Sequence, residues 1–243
     1  MKFKLIMIFL SAFFMMSLSN VALASDKENE HIITNFENIQ LSNEVLYQKA
    51  LKGELVNNEH TKVTVTENKT TEQITTTIDI EKVLSEEILP NGDVMTKNLR
   101  EITILTAEAI EETKAPTSSS VGVKIRLDFD KQSLGGFNTR KLTKFTITPL
   151  RLDSSFSMTS LEYQARNFGT GWTSNGTMYV ASESTTLQTI TTIVYNSPLA
   201  HTTNFVKYTP IGSDVIAGSG VVGKFSYRRG AGDILTYNFD YGW

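Results

Sequence analysis

The chain has 243 residues, 23 Lys and Arg against 26 Asp and Glu, and a hydrophobic share of 40%. That profile suits one large domain or two small ones; it is too apolar for a wholly disordered chain and too weakly basic for a dedicated nucleic-acid binder. The absence of cysteine excludes a disulfide scaffold, a thiolate metal site, a cysteine nucleophile and the cysteine-linked anchor of lipoproteins.

Residues 1–24 read as an export signal. Lys2 and Lys4 give a positive start, Leu5 to Met16 is apolar, and Ala22-Leu23-Ala24 is the small-x-small pattern that signal peptidase cuts. The apolar run is shorter than the ~20 residues needed to span a bilayer as a helix, and no later stretch qualifies. The expected product is secreted, begins at Ser25, and carries no transmembrane, lipid or sorting anchor.

Beyond the signal the composition divides. Ser25 to Ser120 holds 18 acidic and 9 basic side chains, whereas Val121 to Trp243 holds 8 and 12. Phe36 and Tyr47 are the only aromatics of the first part, against 17 in the second. Within residues 25–60, an acidic segment, Ser42 to Gly53 has a capping serine, apolar residues at helical spacing and a stopping glycine, which predicts one short helix. Residues 61–107 are Thr-rich arms. Val63 and Val65, then Ile74, Thr76, Ile78 and Ile80, alternate as strands do, and Asn91-Gly92 predicts a hairpin between Glu81–Leu89 and Val94–Leu105. With so few aromatics these arms have no core of their own; they pair with the rest of the chain, pair with another copy, or stay partly mobile. Residues 108–120 read as a linker.

Residues 121–243 are expected to form an independent antiparallel β-sandwich of about eight strands. In Val121 to Asp130 every odd position is apolar, with Val121, Val123, Ile125, Leu127 and Phe129 on one face, the period of a half-buried strand. Further strands are predicted near Thr143–Thr148, Met158–Arg166, Thr177–Ala181, Thr186–Tyr195, Asn204–Thr209, Val221–Arg228 and Ile234–Tyr241, with a glycine-rich hairpin turn at Arg229 to Asp233. Leu235, Tyr237, Phe239, Tyr241 and Trp243 alternate to the chain's last residue. The alternative they raise is the closing strand of an outer-membrane-type barrel.

Val222-Gly223-Lys224-Phe225-Ser226-Tyr227-Arg228-Arg229-Gly230 before a final aromatic strand, with Lys141-Leu142-Thr143-Lys144 in an early one, resembles small secreted proteins of Gram-positive bacteria of unassigned function. The resemblance covers the last half of the chain. It implies export and a β-sandwich and brings no catalytic residue.

Chemical motifs are mostly missing. His31, His60 and His201 have no metal-ligand spacing, and His201 falls in an expected loop, so all three read as surface histidines without partners. No Gly-x-Ser-x-Gly elbow occurs. Asp128-Phe129-Asp130 departs from calcium-loop spacing and reads as strand-end carboxylates. Adjacent pairs such as Glu86-Glu87 and Glu111-Glu112 point to opposite faces of a strand and do not straddle a substrate. Gly169-Thr170-Gly171 lacks the context of a phosphate cradle, and Asn68-Lys69-Thr70 and Asn175-Gly176-Thr177 are glycan acceptors only in a eukaryotic host.

The expected function is therefore a secreted, non-enzymatic binding or interaction protein with no cofactor and no metal. Its expected partner is a glycan or an anionic cell-wall polymer, with self-association through the Thr-rich strands as a further possibility and no nucleic acid. The candidate ligand loop runs from Arg166 to Gly176, with Trp172 as a stacking surface, Asn175 as a polar contact and Arg166, Arg228 and Arg229 as cations. The competing reading places Trp172 inward as a core plug. The alternative enzyme is a hydrolase drawing carboxylates from Asp153, Glu162, Glu183 or Asp214.

Overall fold

The computed structural model describes residues 33–35, 61–68, 73–108, 120–211 and 217–242. The signal segment with Ala22 and Ala24, the helix expected at Ser42–Gly53, His31, His60, most of the linker, Asp214 and Trp243 lie outside the described residues.

The described residues form thirteen strands and no helix. In the first part they are β1 (Ile33–Asn35), β2 (Thr61–Asn68), β3 (Gln73–Ile88) and β4 (Val94–Glu108). The next five are β5 (Val121–Leu134), β6 (Phe137–Arg151), β7 (Phe156–Trp172), β8 (Met178–Ser184) and β9 (Gln188–Ile190). The last four are β10 (Leu199–Thr202), β11 (Thr209–Pro210), β12 (Ala217–Arg229) and β13 (Leu235–Gly242). They form two antiparallel sheets. The larger runs β1-β3-β4-β5-β6-β10, with β2 on β3 and β11 on β6; the smaller runs β13-β12-β7-β8, with β9 on β7. This is the β-sandwich that the alternation predicts.

Ladder partners share a face, so register fixes the core. In the larger sheet Ile102 lies opposite Ile125, Ile125 opposite Ile147, and Leu127 opposite Phe145. In the smaller sheet Phe225 lies opposite both Leu161 and Tyr237. These side chains meet in one buried cluster between the sheets. The aromatic final strand belongs there: Phe239 is buried, and Leu235, Tyr237 and Tyr241 pack against the cluster. The barrel alternative is thus corrected, because the strands close no ring and the alternating aromatics face a sandwich core.

The Thr-rich arms pair with the rest of the chain. Leu89, Asn91, Gly92 and Asp93 close the β3–β4 hairpin, Gly92 at φ 85°, and Met95–Thr106 of β4 pairs along Gln132–Val121 of β5. The hairpin lies in the same compact unit as the later strands, Ile33–Trp243, and Ile102 and Ile104 enter the central core. Midway along it, Arg100 forks onto Asp79 at 2.7 and 2.9 Å and donates to the Gly242 carbonyl at 3.2 Å, while the Thr77 and Tyr241 hydroxyls meet at 3.2 Å. These bonds link the first hairpin to the last strand.

Two expected strands are largely absent. Of Thr186–Tyr195 only Gln188–Ile190 pairs, and residues 203–207 are irregular. Asn196 and Asn204 stand at φ 59° and 56°, a left-handed conformation that ends an extended run. Between them the short β10 pairs with β6, which corrects the reading of His201. It lies on a strand, stacks on Phe145 at 5.0 Å, and meets the Tyr163 hydroxyl through Nε2 at 2.8 Å. Burial lowers its pKa below the usual imidazole value.

Candidate functional site

The outer face of the smaller sheet carries the candidate site. Along β7 the residues Leu161, Tyr163, Ala165 and Asn167 are buried, so the alternate positions Gln164, Arg166 and Phe168 point away from the core. Register adds their neighbours. Phe168 lies between Ser182 of β8 and Gly218 of β12, and Arg166 lies between Ser184 and Gly220, with Gly242 next beyond. Two rows of the face are therefore bare of large side chains except for one aromatic ring and one guanidinium.

Gly218 makes the ring's position possible. A Cβ there would stand 2.9 Å from Phe168 Cζ and 3.0 Å from Cε1, so the ring occupies the space that any other residue at 218 would fill. Phe168 remains 51% exposed. It lines an open groove of about 430 Å³ with Gln164, Arg166, Ser182, Glu183 and Ser184. Val180 and Met178, further back along β8, are also exposed.

The polar groups around the ring are positioned by one another. Gln164 donates through Nε2 to the Thr185 carbonyl at 2.6 Å and accepts from Arg166 Nε at 3.1 Å through its own oxygen. The guanidinium is thus held by a neutral amide. Glu183 is engaged on the protein side: one carboxylate oxygen accepts from Asn167 Nδ2 at 2.7 Å and the other from the Val206 amide at 3.1 Å. Beneath the groove, Asn167 Oδ1 and Ser219 Oγ sit on facing residues of β7 and β12, buried and without hydrogen-bond partners among the described residues. Such orphaned atoms are uncommon.

The expected ligand loop is only partly realised. Trp172 is 6% exposed, packs with Leu134 and Tyr208, and stacks on Phe137 at 5.2 Å. A Cβ on Gly135 would stand 2.8 Å from its Nε1, so glycine at the β5–β6 turn admits the indole. Trp172 takes the core position rather than the stacking one. Asn175 serves the β7–β8 turn, its side-chain oxygen accepting from the Thr173 hydroxyl and the Thr177 amide. Arg228 and Arg229 pair with Ser157 and Phe156, at the opposite end of β7 from Arg166. Arg229 lies over the Phe156 ring at 5.5 Å and Arg228 is exposed. Of the expected site residues, Arg166 alone joins the groove.

The carboxylates considered for hydrolysis are dispersed. Asp153 accepts from the Ser155 amide at 2.8 Å in a turn, Glu162 pairs with Lys224 at 3.3 Å, and Glu183 is bound as above. Among the described residues no three His, Asp or Glu side chains are grouped as a metal site would need.

Sequence reasoning singled out Trp172 and passed over Phe168. The available signal was Gly218-Ser219-Gly220 inside a strand, since interior glycines mark places where something approaches the backbone closely. Fold and groove together describe an antiparallel sandwich with an aromatic and a cation presented on one outer face. No protein-family model matches the chain, and no curated protein matches it significantly.

Proposed function

We propose that this is a secreted, non-enzymatic carbohydrate-binding protein whose binding surface is the groove on the outer face of the smaller sheet. The observation that carries the reading is the half-exposed Phe168 ring, set against Gly218 among Gln164, Arg166, Ser182 and Ser184. A sugar ring has an apolar C–H face and a rim of hydroxyls. An exposed aromatic with surrounding hydrogen-bonding groups complements both, the ring taking the C–H face and the amide, guanidinium and hydroxyls the rim.

Retention on insoluble glycans tests it. Phe168→Ala removes the aromatic surface without touching the buried core, so retention falls at least about tenfold, equivalent to ~1.4 kcal/mol, while the melting temperature stays near that of the parent. Unchanged retention of the variant on every glycan that the parent binds would refute the proposal.

A further inference from the structure

Resting on that reading, we infer that the groove is selective for acidic saccharides, with Arg166 receiving a carboxylate, sulfate or phosphate on a sugar whose ring lies on Phe168. Among the described residues the other arginines, the exposed Arg228 excepted, are neutralised or covered. Arg100 forks onto Asp79, Arg126 onto Asp128 and Arg140 reaches Glu81, while Arg151 lies over Tyr195 at 4.4 Å. Arg166 differs. Its Nε is held by the Gln164 oxygen at 3.1 Å, and its terminal nitrogens make no ion pair or hydrogen bond with a described residue. A guanidinium fixed at Nε presents its terminal N–H groups as a planar fork, the geometry that binds an oxyanion through two parallel bonds.

The surroundings favour a ligand charge at this end of the groove. Arg166 stands one ladder row from Phe168 on the same face, with Gly220 and Gly242 beside it carrying no side chain to exclude a substituent. The groove's own carboxylate, Glu183, is turned toward Asn167 and the Val206 amide and makes no ion pair with Arg166 among the described residues. Its charge opposes an anion placed on the Asn167 side and so directs the ligand's charge toward the guanidinium.

The test compares retention of the full chain in gels containing polygalacturonate, its fully methyl-esterified form, or dextran sulfate. The first two share a backbone and differ in charge. The expected result is about tenfold stronger retention by polygalacturonate than by the ester. Arg166→Gln lowers retention by polygalacturonate to the level of the ester while the melting temperature stays near that of the parent, and Arg166→Lys restores only part of the preference, because an ammonium is a point charge rather than a fork. Dextran sulfate held as strongly as polygalacturonate assigns a general oxyanion site; weaker retention assigns a uronate. A preference that survives Arg166→Gln, or that the distant Arg228→Gln abolishes equally, overturns the inference. Ester retention that persists in Phe168→Ala overturns the underlying carbohydrate reading instead, and failure of the parent to be retained by any of the three overturns both.

Discussion

Trp172→Ala separates the two aromatic residues that sequence reasoning placed in one loop. The indole is 6% exposed and belongs to the small cluster with Leu134 and Tyr208, outside the main core. Truncating a buried tryptophan generally costs about 3–5 kcal/mol. The half-exposed Phe137 also loses its stacked partner at 5.2 Å, a contact of about 0.5–1.5 kcal/mol beyond area burial. A cluster near the sheet edge relaxes more readily than the centre, so a loss of about 3–4 kcal/mol is expected. For a chain of this size that lowers the melting temperature by about 6–15 °C. Differential scanning calorimetry measures the shift, and glycan retention at a temperature where the variant is fully folded measures binding. The reasoning fails if the melting temperature moves by less than about 2 °C or if folded Trp172→Ala loses retention while Phe168→Ala keeps it.

Other consequences follow from particular contacts. Gly223→Ala places a methyl 2.2 Å from the Glu162 carbonyl oxygen and 2.5 Å from Phe239 Cζ; backbone cannot yield there, so chemical denaturation is expected to show a loss of at least about 1–3 kcal/mol, and an unchanged midpoint would contradict the packing described. A chain starting at Val121 loses the β4 ladder along β5 together with Ile102 and Ile104, so it is expected to lack a cooperative melt; a sharp transition in that fragment would reinstate the independent module that composition suggests. His201 has its folded pKa lowered by burial, so the unfolded chain binds the extra proton first and stability falls as the pH drops below about 6.5. Replacing His201 with Gln should flatten the stability curve between neutral pH and about pH 5, the zone above most carboxylate titration, and an identical slope in both proteins would show that His201 contributes nothing there.

Where local pattern determines structure, the sequence was readable. The strict alternation of Val121 to Phe129 has one stable arrangement, a strand with one buried face, and all five residues are buried. Asn91-Gly92 is readable because Gly92 needs φ 85° and the next residues resume apolar alternation. His201 was not readable, because both of its ring partners, Phe145 and Tyr163, come from strands distant in the chain. Trp172 and Phe168 show a subtler limit. They are four positions apart, so uninterrupted alternation places both on one face. Gly169, at φ 96°, turns the chain between them, and Trp172 joins Tyr208 through paired backbone bonds of 2.7 and 2.8 Å. The residue that looked like the loop's exposed aromatic is drawn inward, and its less conspicuous neighbour is left outside.

The glycines beneath the groove and the aromatic above them stand on different structural grounds. A Cβ at 220 would stand 2.3 Å from the Tyr241 carbonyl oxygen, and one at 218 would collide with the Phe168 ring. Gly220 is therefore required by the close approach of β13, whereas Gly218 is required only because position 168 is a phenylalanine. Interior glycine costs a strand roughly 0.5–1 kcal/mol, and an aromatic laid over it recovers part of that by covering the bared backbone. Threonine or valine at both positions would give a more ordinary pair on a solvent face. The Phe168–Gly218 pair holds an aromatic ring against the sheet, half open to solvent, next to a guanidinium with no acidic partner among the described residues. Fold stability alone does not call for that arrangement; the proposed ligand, with an apolar face and a negative substituent, accounts for it.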